Sequence, residues 1–362
     1  MKKDLRRKLL CCAFISALII LTASLAACKP KKATPTPSPA SPTPTAAAPT
    51  ITPTVPPTAE PTVSPSASPT GTPAASPTVT AGGEAGAYDT EAAYNLGYAY
   101  FENYPEDRNS VSASAMFAAM DGGEDIYIMD IRRPEDYAEG HVKGAVNMNF
   151  FDMTIPENIS KIPDDKPVLI YCYTGQSSSQ AAAVLSMAGK QAKNVQSGYN
   201  GGILTTGNHE DYTDNAALDI GGPDYPTDPL AEAGVTAYFA DKLRKDGTVY
   251  ENNDIAPETV KEIVDNKDDR YLLLSVRRPE DFDNGHIPGA VNIPFGEGIQ
   301  KELAGLPRDK IIIVYCYTGQ TSSQTVAVLR AMGFEAYSMT GGMGDKQGGE
   351  GWLGAGYEVV KN

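Results

Sequence analysis

One short segment that contains a cysteine occurs twice in this chain of 362 residues. The first copy is Tyr171-Cys172-Tyr173-Thr174-Gly175-Gln176, and the second is Tyr315-Cys316-Tyr317-Thr318-Gly319-Gln320. Each copy follows a run of apolar residues typical of a buried strand and precedes a Ser-rich segment with a helical pattern. The duplication therefore predicts two similar units, each of which places a cysteine between a strand and a helix.

The position of the two cysteines predicts their chemistry. A turn that opens a helix N-terminus carries several backbone N–H groups without intrahelical partners, at the positive end of the helix dipole. Those donors favour the thiolate over the thiol, and the thiolate is the nucleophile. We therefore predict that Cys172 and Cys316 are nucleophiles, with a mild preference for Cys316 as the more active.

The likeness between the two units extends over most of their length. Residues 132–137 match residues 277–282, each with an Arg-Arg-Pro-Glu-Asp sequence, and residues 140–147 match residues 285–292, each with a Gly-His pair. Strands alternate with helices at a spacing that indicates an α/β fold: in each unit, a mostly parallel central sheet flanked by helices. Each cysteine then lies at the carboxyl end of a strand, where open α/β sheets bind ligands.

We place the first unit at residues 88–222 and the second at residues 227–362, joined by a Pro- and Asp-rich connection. Residues 33–83 are almost entirely Pro, Thr, Ser and Ala, and such a composition predicts a disordered linker, which we place at residues 28–87. As polyproline II, the linker would act as a stalk that reaches on the order of 150 Å.

The N-terminus has the pattern of an export signal. Residues 1–27 hold a basic start, an apolar stretch and small residues before Cys28, which indicates a signal peptide. Leu25-Ala26-Ala27-Cys28 resembles the lipobox of bacterial lipoproteins, which implies cleavage before Cys28, a lipid on its thiol and anchoring to the bacterial cell membrane. The alternative is an uncleaved membrane helix. In both cases the body of the chain is expected outside the cytoplasm.

Charge and cysteine content restrict the classes of function. The net charge is −15, and removal of residues 1–27, with their net +4, would leave about −19. Such a surface argues against nucleic-acid binding, and leaves the lipid as the expected contact with the membrane. Of the five cysteines, Cys172 and Cys316 remain for the body of the chain, too few for a disulfide framework. A single disulfide between them is the alternative to two free thiols.

With these motifs in order, the chain resembles a tandem rhodanese. The resemblance implies a sulfurtransferase without a cofactor, in which each thiolate takes a sulfane sulfur from thiosulfate, a persulfide or a polysulfide. The sulfur then passes from the cysteine persulfide to a thiol or cyanide acceptor. It also implies a substrate-binding loop after each nucleophile, formed by Tyr173, Thr174, Gly175, Gln176 and Ser177 in the first unit and by Tyr317, Thr318, Gly319, Gln320 and Thr321 in the second.

One departure from the family pattern bears on the donor. The family often has arginine where this chain has Ser177 and Thr321. A hydroxyl loses the fixed charge and the fork of donors that suit a dianion, so a persulfide or polysulfide is favoured over thiosulfate. Arg132 and Arg277 are candidates to support an anion instead. The alternative is that these arginines and their neighbours form ordinary ion pairs with the acidic residues that follow.

Several other residues have structural interpretations. We expect His141 and His286 to hydrogen-bond to the backbone, and no Cys/His cluster has the spacing of a metal site. Four serines are expected to cap the helices after the cysteines: Ser178, Ser179, Ser322 and Ser323. The glycine pairs at 201–202 and 341–342 are expected to turn near the cysteine loops, and Trp352 to pack in the core. Tyr173 and Tyr317 either line the mouth of the pocket or pack on the loop.

Two other classes of function compete with sulfur transfer. A cysteine phosphatase of related fold needs arginine six positions after the cysteine, and those positions hold Ser178 and Ser322. The other alternative is a non-catalytic module, in which the cysteines sense redox state or persulfides, or serve only for binding.

Overall fold

The structure is a computed structural model that describes residues 89–243, 252–344 and 350–362. The predicted signal peptide, Cys28 and the predicted linker lie outside the described residues. Across the described ranges, no helix is both long and apolar enough to cross a membrane.

The first repeat begins with helix α1 (Thr90–Glu102) and continues, in chain order, with these elements: β1 (Ser110–Val111), α2 (Ala113–Asp121), β2 (Tyr127–Asp130), α3 (Pro134–Glu139), β3 (His141–Val142), β4 (Ala145–Asn147), α4 (Thr154–Glu157), a 3-10 turn (Ile159–Lys161), β5 (Val168–Tyr171), α5 (Gln176–Met187), β6 (Ala192–Val195), a wide helical turn (Gly198–Ile203), a second 3-10 turn (His209–Asp211) and β7 (Thr213–Asp214).

The second repeat begins with α6 (Pro229–Lys242) and continues, in chain order, with these elements: β8 (Asp254–Ile255), α7 (Pro257–Asn266), β9 (Tyr271–Ser275), α8 (Pro279–Asp283), β10 (Val291–Asn292), α9 (Gln300–Leu303), β11 (Ile311–Tyr315), α10 (Gln320–Ala331), β12 (Ala336–Met339) and α11 (Gly351–Gly354).

Within the described residues, each repeat builds a five-stranded sheet with the same strand order. The order is β1-β6-β5-β2-β4 in the first repeat and β8-β12-β11-β9-β10 in the second, and every neighbouring pair is parallel. The predicted α/β fold with parallel sheets is therefore confirmed. The strand before each cysteine is the central one, and all four residues of β5 are buried, as expected for a strand covered on both faces.

Local sequence explains where the helices start. Asp89 accepts hydrogen bonds from two backbone N–H groups of α1, and Asp228 does the same for α6. Pro134 and Pro279 occupy the first turns of α3 and α8 and are followed by acidic residues. Proline is pre-organised for that position and the acids interact favourably with the helix dipole.

The two repeats share one apolar core within a single compact unit. The opening helix of each repeat contacts the other repeat: Phe101 of α1 meets the ring of Phe295 at 5.4 Å, and Phe239 of α6 meets Phe150 at 5.5 Å. Complete burial of such a side chain contributes on the order of 2 kcal/mol. The opening helices therefore contribute apolar contacts to the core that the two repeats share.

Each sheet has a second apolar cluster on its outer face. In the first repeat this cluster includes Phe117 and Tyr171, and in the second it includes Tyr315 and Trp352. Trp352 is buried and donates its indole N–H to the Glu358 carbonyl at 2.9 Å, so the predicted core role of this tryptophan is confirmed.

Candidate functional site

The two cysteine loops have nearly the same backbone. Each runs from the end of the central strand to a glycine with positive φ, which is 90° at Gly175 and 85° at Gly319. The helix begins at the next residue, Gln176 or Gln320. A left-handed conformation is accessible to glycine at little cost, and it turns the chain sharply enough to start the helix.

The sulfur of Cys172 accepts a hydrogen bond from the backbone N–H of Gly175 at 3.1 Å. The hydroxyl of Ser178 lies 3.3 Å from the same sulfur, and in the second repeat the hydroxyl of Ser322 lies 3.5 Å from Cys316 Sγ. Both cysteines are free thiols rather than one disulfide, and each is 2% exposed. Each sulfur is therefore buried in the apolar cluster that the two repeats share, beside a few polar groups of its loop.

The prediction that serines cap the two helices is wrong. Gly175 and Gly319 occupy the cap positions and make no side-chain hydrogen bond, so the four serines lie inside the first turn of α5 or α10. Ser179 Oγ instead donates to the Gly175 carbonyl at 2.7 Å, and Ser178 and Ser322 point to the sulfurs. The left-handed glycine starts the helix earlier than the serine-rich pattern indicated.

A glycine from the loop after the last central strand covers each cysteine loop. A methyl group on Gly198 would lie 2.5 Å from the Cys172 carbonyl oxygen, and one on Gly342 would lie 2.7 Å from that of Cys316. The prediction for the second glycine pair is confirmed, but Gly198 rather than the pair at 201–202 has this place in the first repeat. The two Gly-Gly pairs look equivalent in sequence, but in the first repeat the glycine next to the cysteine loop comes three residues before the pair.

The tyrosines that follow the cysteines connect the loop to the preceding helix. Tyr173 donates its hydroxyl hydrogen to Asp136 and accepts a hydrogen bond from Arg133 N at 3.1 Å. Tyr317 likewise donates to the carboxylate of Asp281. These hydrogen bonds hold each tyrosine against the preceding helix, and each ring is half-buried. The other loop residues are Thr174, which is exposed, and Ser177, Thr318 and Thr321, which are half-buried.

Arg132 is engaged away from any anion. Its guanidinium contacts the buried carboxylate of Asp130 at 2.7 Å, donates to the Gly140 carbonyl at 2.6 Å and lies over the ring of Tyr199 at 3.7 Å. Burial raises the pKa of Asp130, and the hydrogen bond from Arg132 opposes that rise. The expected ion pair of Arg132 with the acids that follow it is wrong, because Asp130 on β2 is closer.

The second repeat differs at this point. Ser275 replaces Asp130, and its hydroxyl accepts from Arg277 N at 3.4 Å. The guanidinium of Arg277 is buried, donates to the Gly285 carbonyl and lies 5.7 Å from the centre of the Tyr317 ring. Arg278, by contrast, forms the expected ion pair with Asp281 at 3.1 Å. The second repeat therefore has a hydroxyl where the first has the carboxylate of Asp130.

The histidine rings have the predicted structural place. His141 Nδ1 lies 2.7 Å from the Tyr137 carbonyl oxygen, and His286 Nδ1 lies 2.9 Å from that of Phe282. Each ring stacks on the aromatic side chain of the same residue. In the ranges that the structure describes, no group of three or more His, Cys, Asp or Glu side chains could hold a metal ion.

Two loop residues have contacts that the sequence did not indicate. Gln176 and Gln320 extend from their own loops into the opposite repeat, where their side-chain oxygens accept backbone N–H groups of Gly341 and Ser197 at 3.2 and 3.1 Å. Glutamine at the first position of a helix usually faces solvent, so no pattern in one repeat alone could reveal these contacts. They join each cysteine loop to the opposite repeat.

Comparison with known proteins gives consistent matches. The family model described as "Rhodanese-like domain" matches residues 112–203 and 256–345. YrkF of Bacillus subtilis (strain 168) is 32% identical over 29% of this chain and 57% of its own length. Thiosulfate sulfurtransferase PspE of Escherichia coli (strain K12) is 33% identical over 20% of this chain and 70% of its own length.

Among solved structures, SseA from Escherichia coli is 19% identical with a TM-score of 0.30, over 64% of this chain and 98% of that one. The matches to YrkF and PspE each span one repeat-sized segment, whereas the family model matches both repeats. Because the model covers half of the chain in two copies, the protein belongs to the rhodanese-like family and carries two rhodanese-like domains in tandem.

Proposed function

We propose that the protein is a sulfurtransferase in which Cys172 and Cys316 are the nucleophiles. The observation that carries this proposal is the place of each sulfur, between the end of the central strand and a glycine turn whose amide reaches Cys172 Sγ at 3.1 Å. A sulfur at the start of a helix is stabilised as a thiolate by such amides and by the helix dipole. Names of relatives such as thiosulfate sulfurtransferase PspE agree with this chemistry.

The reaction has two steps. The cysteine thiolate attacks the outer sulfur of a donor; the donor's S–S bond breaks with its electron pair going to the leaving group, and a cysteine persulfide forms. An acceptor thiolate, or cyanide, then attacks the outer sulfur of the persulfide, and the cysteine thiolate leaves. The cysteine is regenerated, so the cycle is covalent catalysis without a further oxidant or reductant.

The donor we favour is a persulfide or a polysulfide. Ser177 and Thr321 carry no charge where the family often has arginine, and Arg132 is engaged with Asp130. A dianion such as thiosulfate would therefore depend mainly on neutral donors in a protein of net charge −15. The 2% exposure of each cysteine also favours a donor that presents a narrow terminal sulfur.

The assignment is tested by sulfur transfer with defined cysteine variants of the full-length protein. Thiosulfate with cyanide, and polysulfide with cyanide, are compared by the release of sulfite and of thiocyanate. Cys172→Ser and Cys316→Ser should each reduce the rate, and the double variant should abolish it. An unchanged rate in the double variant would reject both cysteines as nucleophiles.

Burial of both sulfurs supports a second candidate, a module that senses persulfides without turnover. In that case a donor would convert the cysteines to persulfides, but an added acceptor thiol would not remove the sulfur at a rate above that of free persulfide exchange. Measurement of the acceptor step alone, on protein already loaded with sulfur, separates this function from catalysis.

We further propose that the protein is exported and anchored to the bacterial cell membrane by a lipid on Cys28. The support is the sequence around Cys28, with its basic start, apolar stretch and small residues. Cys28→Ser should move the protein from the membrane fraction to the soluble extracytoplasmic fraction. Recovery of the Cys28→Ser protein in the membrane at the level of the unmodified protein would favour an uncleaved membrane helix instead.

A further inference from the structure

The two glutamines that cross between the repeats reach residues at equivalent positions. Gln320 Oε1 accepts hydrogen bonds from Ser197 N at 3.1 Å and from Asn194 Nδ2 at 3.0 Å. Gln176 Oε1 accepts from Gly341 N at 3.2 Å. Ser197 and Gly341 each precede the glycine that covers the cysteine loop of their own repeat. Each glutamine therefore contacts the opposite site at the same place.

In the first repeat, a chain of polar contacts leads from Gln320 through Asn194 and Ser178 to the sulfur of Cys172. Asn194 Oδ1 lies 2.6 Å from Ser178 Oγ, and Ser178 Oγ lies 3.3 Å from Cys172 Sγ. The backbone N–H of Ser197 requires that the atom facing it be the oxygen of Gln320. The amide nitrogen of Asn194 must then face that oxygen, and Asn194 presents its own oxygen to Ser178.

This arrangement fixes the hydrogen of Ser178. A serine hydroxyl has one hydrogen, and Asn194 Oδ1, at 2.6 Å, is a closer and stronger acceptor than a sulfur at 3.3 Å. The hydrogen therefore points at Asn194, and Ser178 presents a lone pair to Cys172. A lone pair favours the protonated thiol, because the thiol can donate to it and the thiolate cannot.

In the second repeat the Ser322 hydroxyl has a different acceptor. Ser338, at the position of Asn194, lies 2.8 Å from Ser322 Oγ and accepts from Ser323 Oγ at 3.1 Å. The Gly319 carbonyl accepts the Ser322 hydrogen at 3.0 Å, closer than Cys316 Sγ at 3.5 Å. Gln176 Nε2 lies 3.0 Å from Asp254 Oδ1 and 3.5 Å from Ser338 Oγ, so Gln176 does not set the hydrogen that faces Cys316.

We infer that Gln320 is a positioning residue for the cysteine of the opposite repeat: through Asn194, it turns the Ser178 hydroxyl away from Cys172. This inference rests on the proposed function only in taking the two cysteines as the reactive groups. It makes Cys172 depend on the second repeat, because the hydroxyl beside its sulfur is oriented by a side chain four residues after Cys316.

The test is the rate at which iodoacetamide alkylates each cysteine in the full-length protein. Mass spectrometry of the two cysteine peptides measures that rate. Methionine in place of glutamine keeps the length of the side chain and removes its hydrogen bonds. Gln320→Met should accelerate alkylation of Cys172 by about fivefold, as expected for one hydrogen bond gained by the thiolate, and leave Cys316 within about twofold. Gln176→Met, the equivalent change in the first repeat, should leave Cys172 within about twofold, because the hydrogen bonds of Gln176 to Asp254 and Gly341 do not lead to that sulfur.

A matched control is Gln324→Met. Gln324 lies one turn after Gln320 and also crosses to the first repeat, where it accepts from Tyr100 and Tyr104, but its contacts do not lead to Cys172. Its substitution should leave the ratio of the two alkylation rates unchanged. A second variant, Asn194→Ala, removes the acceptor of the Ser178 hydrogen and should accelerate Cys172 as Gln320→Met does.

Two results would overturn the inference. One is that Gln320→Met changes mainly Cys316, the cysteine of its own repeat, and the other is that both cysteines change equally, as in Gln324→Met. Alkylation needs no sulfur donor. A failure of this test with intact sulfur transfer would thus reject only the crossed positioning, and loss of sulfur transfer with crossed alkylation rates would reject only the proposed function.

Discussion

Gly198 lies so close to Cys172 that a methyl group on the glycine would come within 2.5 Å of the cysteine's carbonyl oxygen. Gly342 has the same relation to Cys316, at 2.7 Å. The backbone after β6 or β12 therefore covers each cysteine loop, and Tyr199 N and Met343 N donate to the two cysteine carbonyls at 2.7 and 2.9 Å. The close packing of each cysteine loop therefore depends on the absence of a side chain at Gly198 and Gly342.

This contact predicts a large effect of Gly198→Ala. The φ of Gly198 is 58°, and that of Gly144, which has no atom within 4 Å of an added methyl group, is 79°. Both substitutions carry a backbone cost of about 1–2 kcal/mol, but Gly198→Ala should cost about 2 kcal/mol more because of overpacking. Urea unfolding measures the difference. Equal losses of stability in the two variants would contradict the close approach.

The buried ion pair of Asp130 and Arg132 predicts a loss of stability on Asp130→Asn. The change leaves a buried guanidinium without its carboxylate and should cost about 3 kcal/mol or more. Asp125→Asn is the control, because the exposed carboxylate of Asp125 contacts Lys166 at 2.7 Å and should contribute less than about 1 kcal/mol. Similar chemical unfolding midpoints for the two variants would show that Arg132 does not need this partner.

Asp254 predicts a dependence of stability on pH. Burial raises the pKa of Asp254 to about 7, while hydrogen bonding from Gln176 and the charge of Lys242 oppose the rise. Between about pH 4 and 7, Asp254 therefore keeps a proton in the folded protein that it has released in the unfolded chain. The stabilising contribution of protonated Asp254 is complete below about pH 4 and is lost as the pH rises through about 7.

Asp254→Asn should therefore gain stability relative to the unmodified protein as the pH increases from 4.5 to 7.5, by on the order of 2 kcal/mol after allowance for partial exposure. Urea unfolding at several pH values measures the trend. Lys242, whose pKa burial lowers to about 7, acts in the separate range from about pH 7 to 10.5, where stability rises with pH. A constant difference between the variant and the unmodified protein across pH 4.5–7.5 would contradict the burial of an uncharged Asp254.

The uncharged loop position predicts that arginine would restore a preference for dianions. Ser177→Arg should raise kcat/KM for thiosulfate by about tenfold through a charge-assisted hydrogen bond, with a smaller effect on polysulfide. Ser177→Gln provides a long uncharged side chain as the control. If Ser177→Gln raises the thiosulfate value as much as Ser177→Arg, charge at this position does not govern the choice of donor.

Much of the fold follows from the sequence because it depends on local patterns. The duplicated strand, turn and helix around Cys172 and Cys316, and the proline-led acidic helices, are encoded by short-range periodicity and helix-start signals. The parallel sheets follow from the alternation of strands and helices.

The relations that the sequence did not predict are between distant residues. An apolar stripe on α1 or α6 indicates that the helix is buried, but not that it packs against the other repeat, as Phe101 and Phe239 do. Because Gly175 is left-handed, α5 begins before the serines rather than at them. Arg132 pairs with Asp130 on β2 rather than with the acidic residues that follow Arg132. The hydrogen-bond partners of Gln176 and Gln320 lie in the opposite repeat, so the sequence of one repeat cannot indicate them.

The proposed function depends on Cys172 and Cys316 acting as sulfur-accepting nucleophiles ahead of α5 and α10. The direct test is mass spectrometry of the two cysteine peptides after incubation of the full-length protein with a polysulfide and removal of excess donor. We expect one added sulfur on Cys172 and on Cys316 that disappears when an acceptor thiol is added. Peptides that remain at the mass of the free thiol, with donor consumed by other residues or not at all, would contradict it.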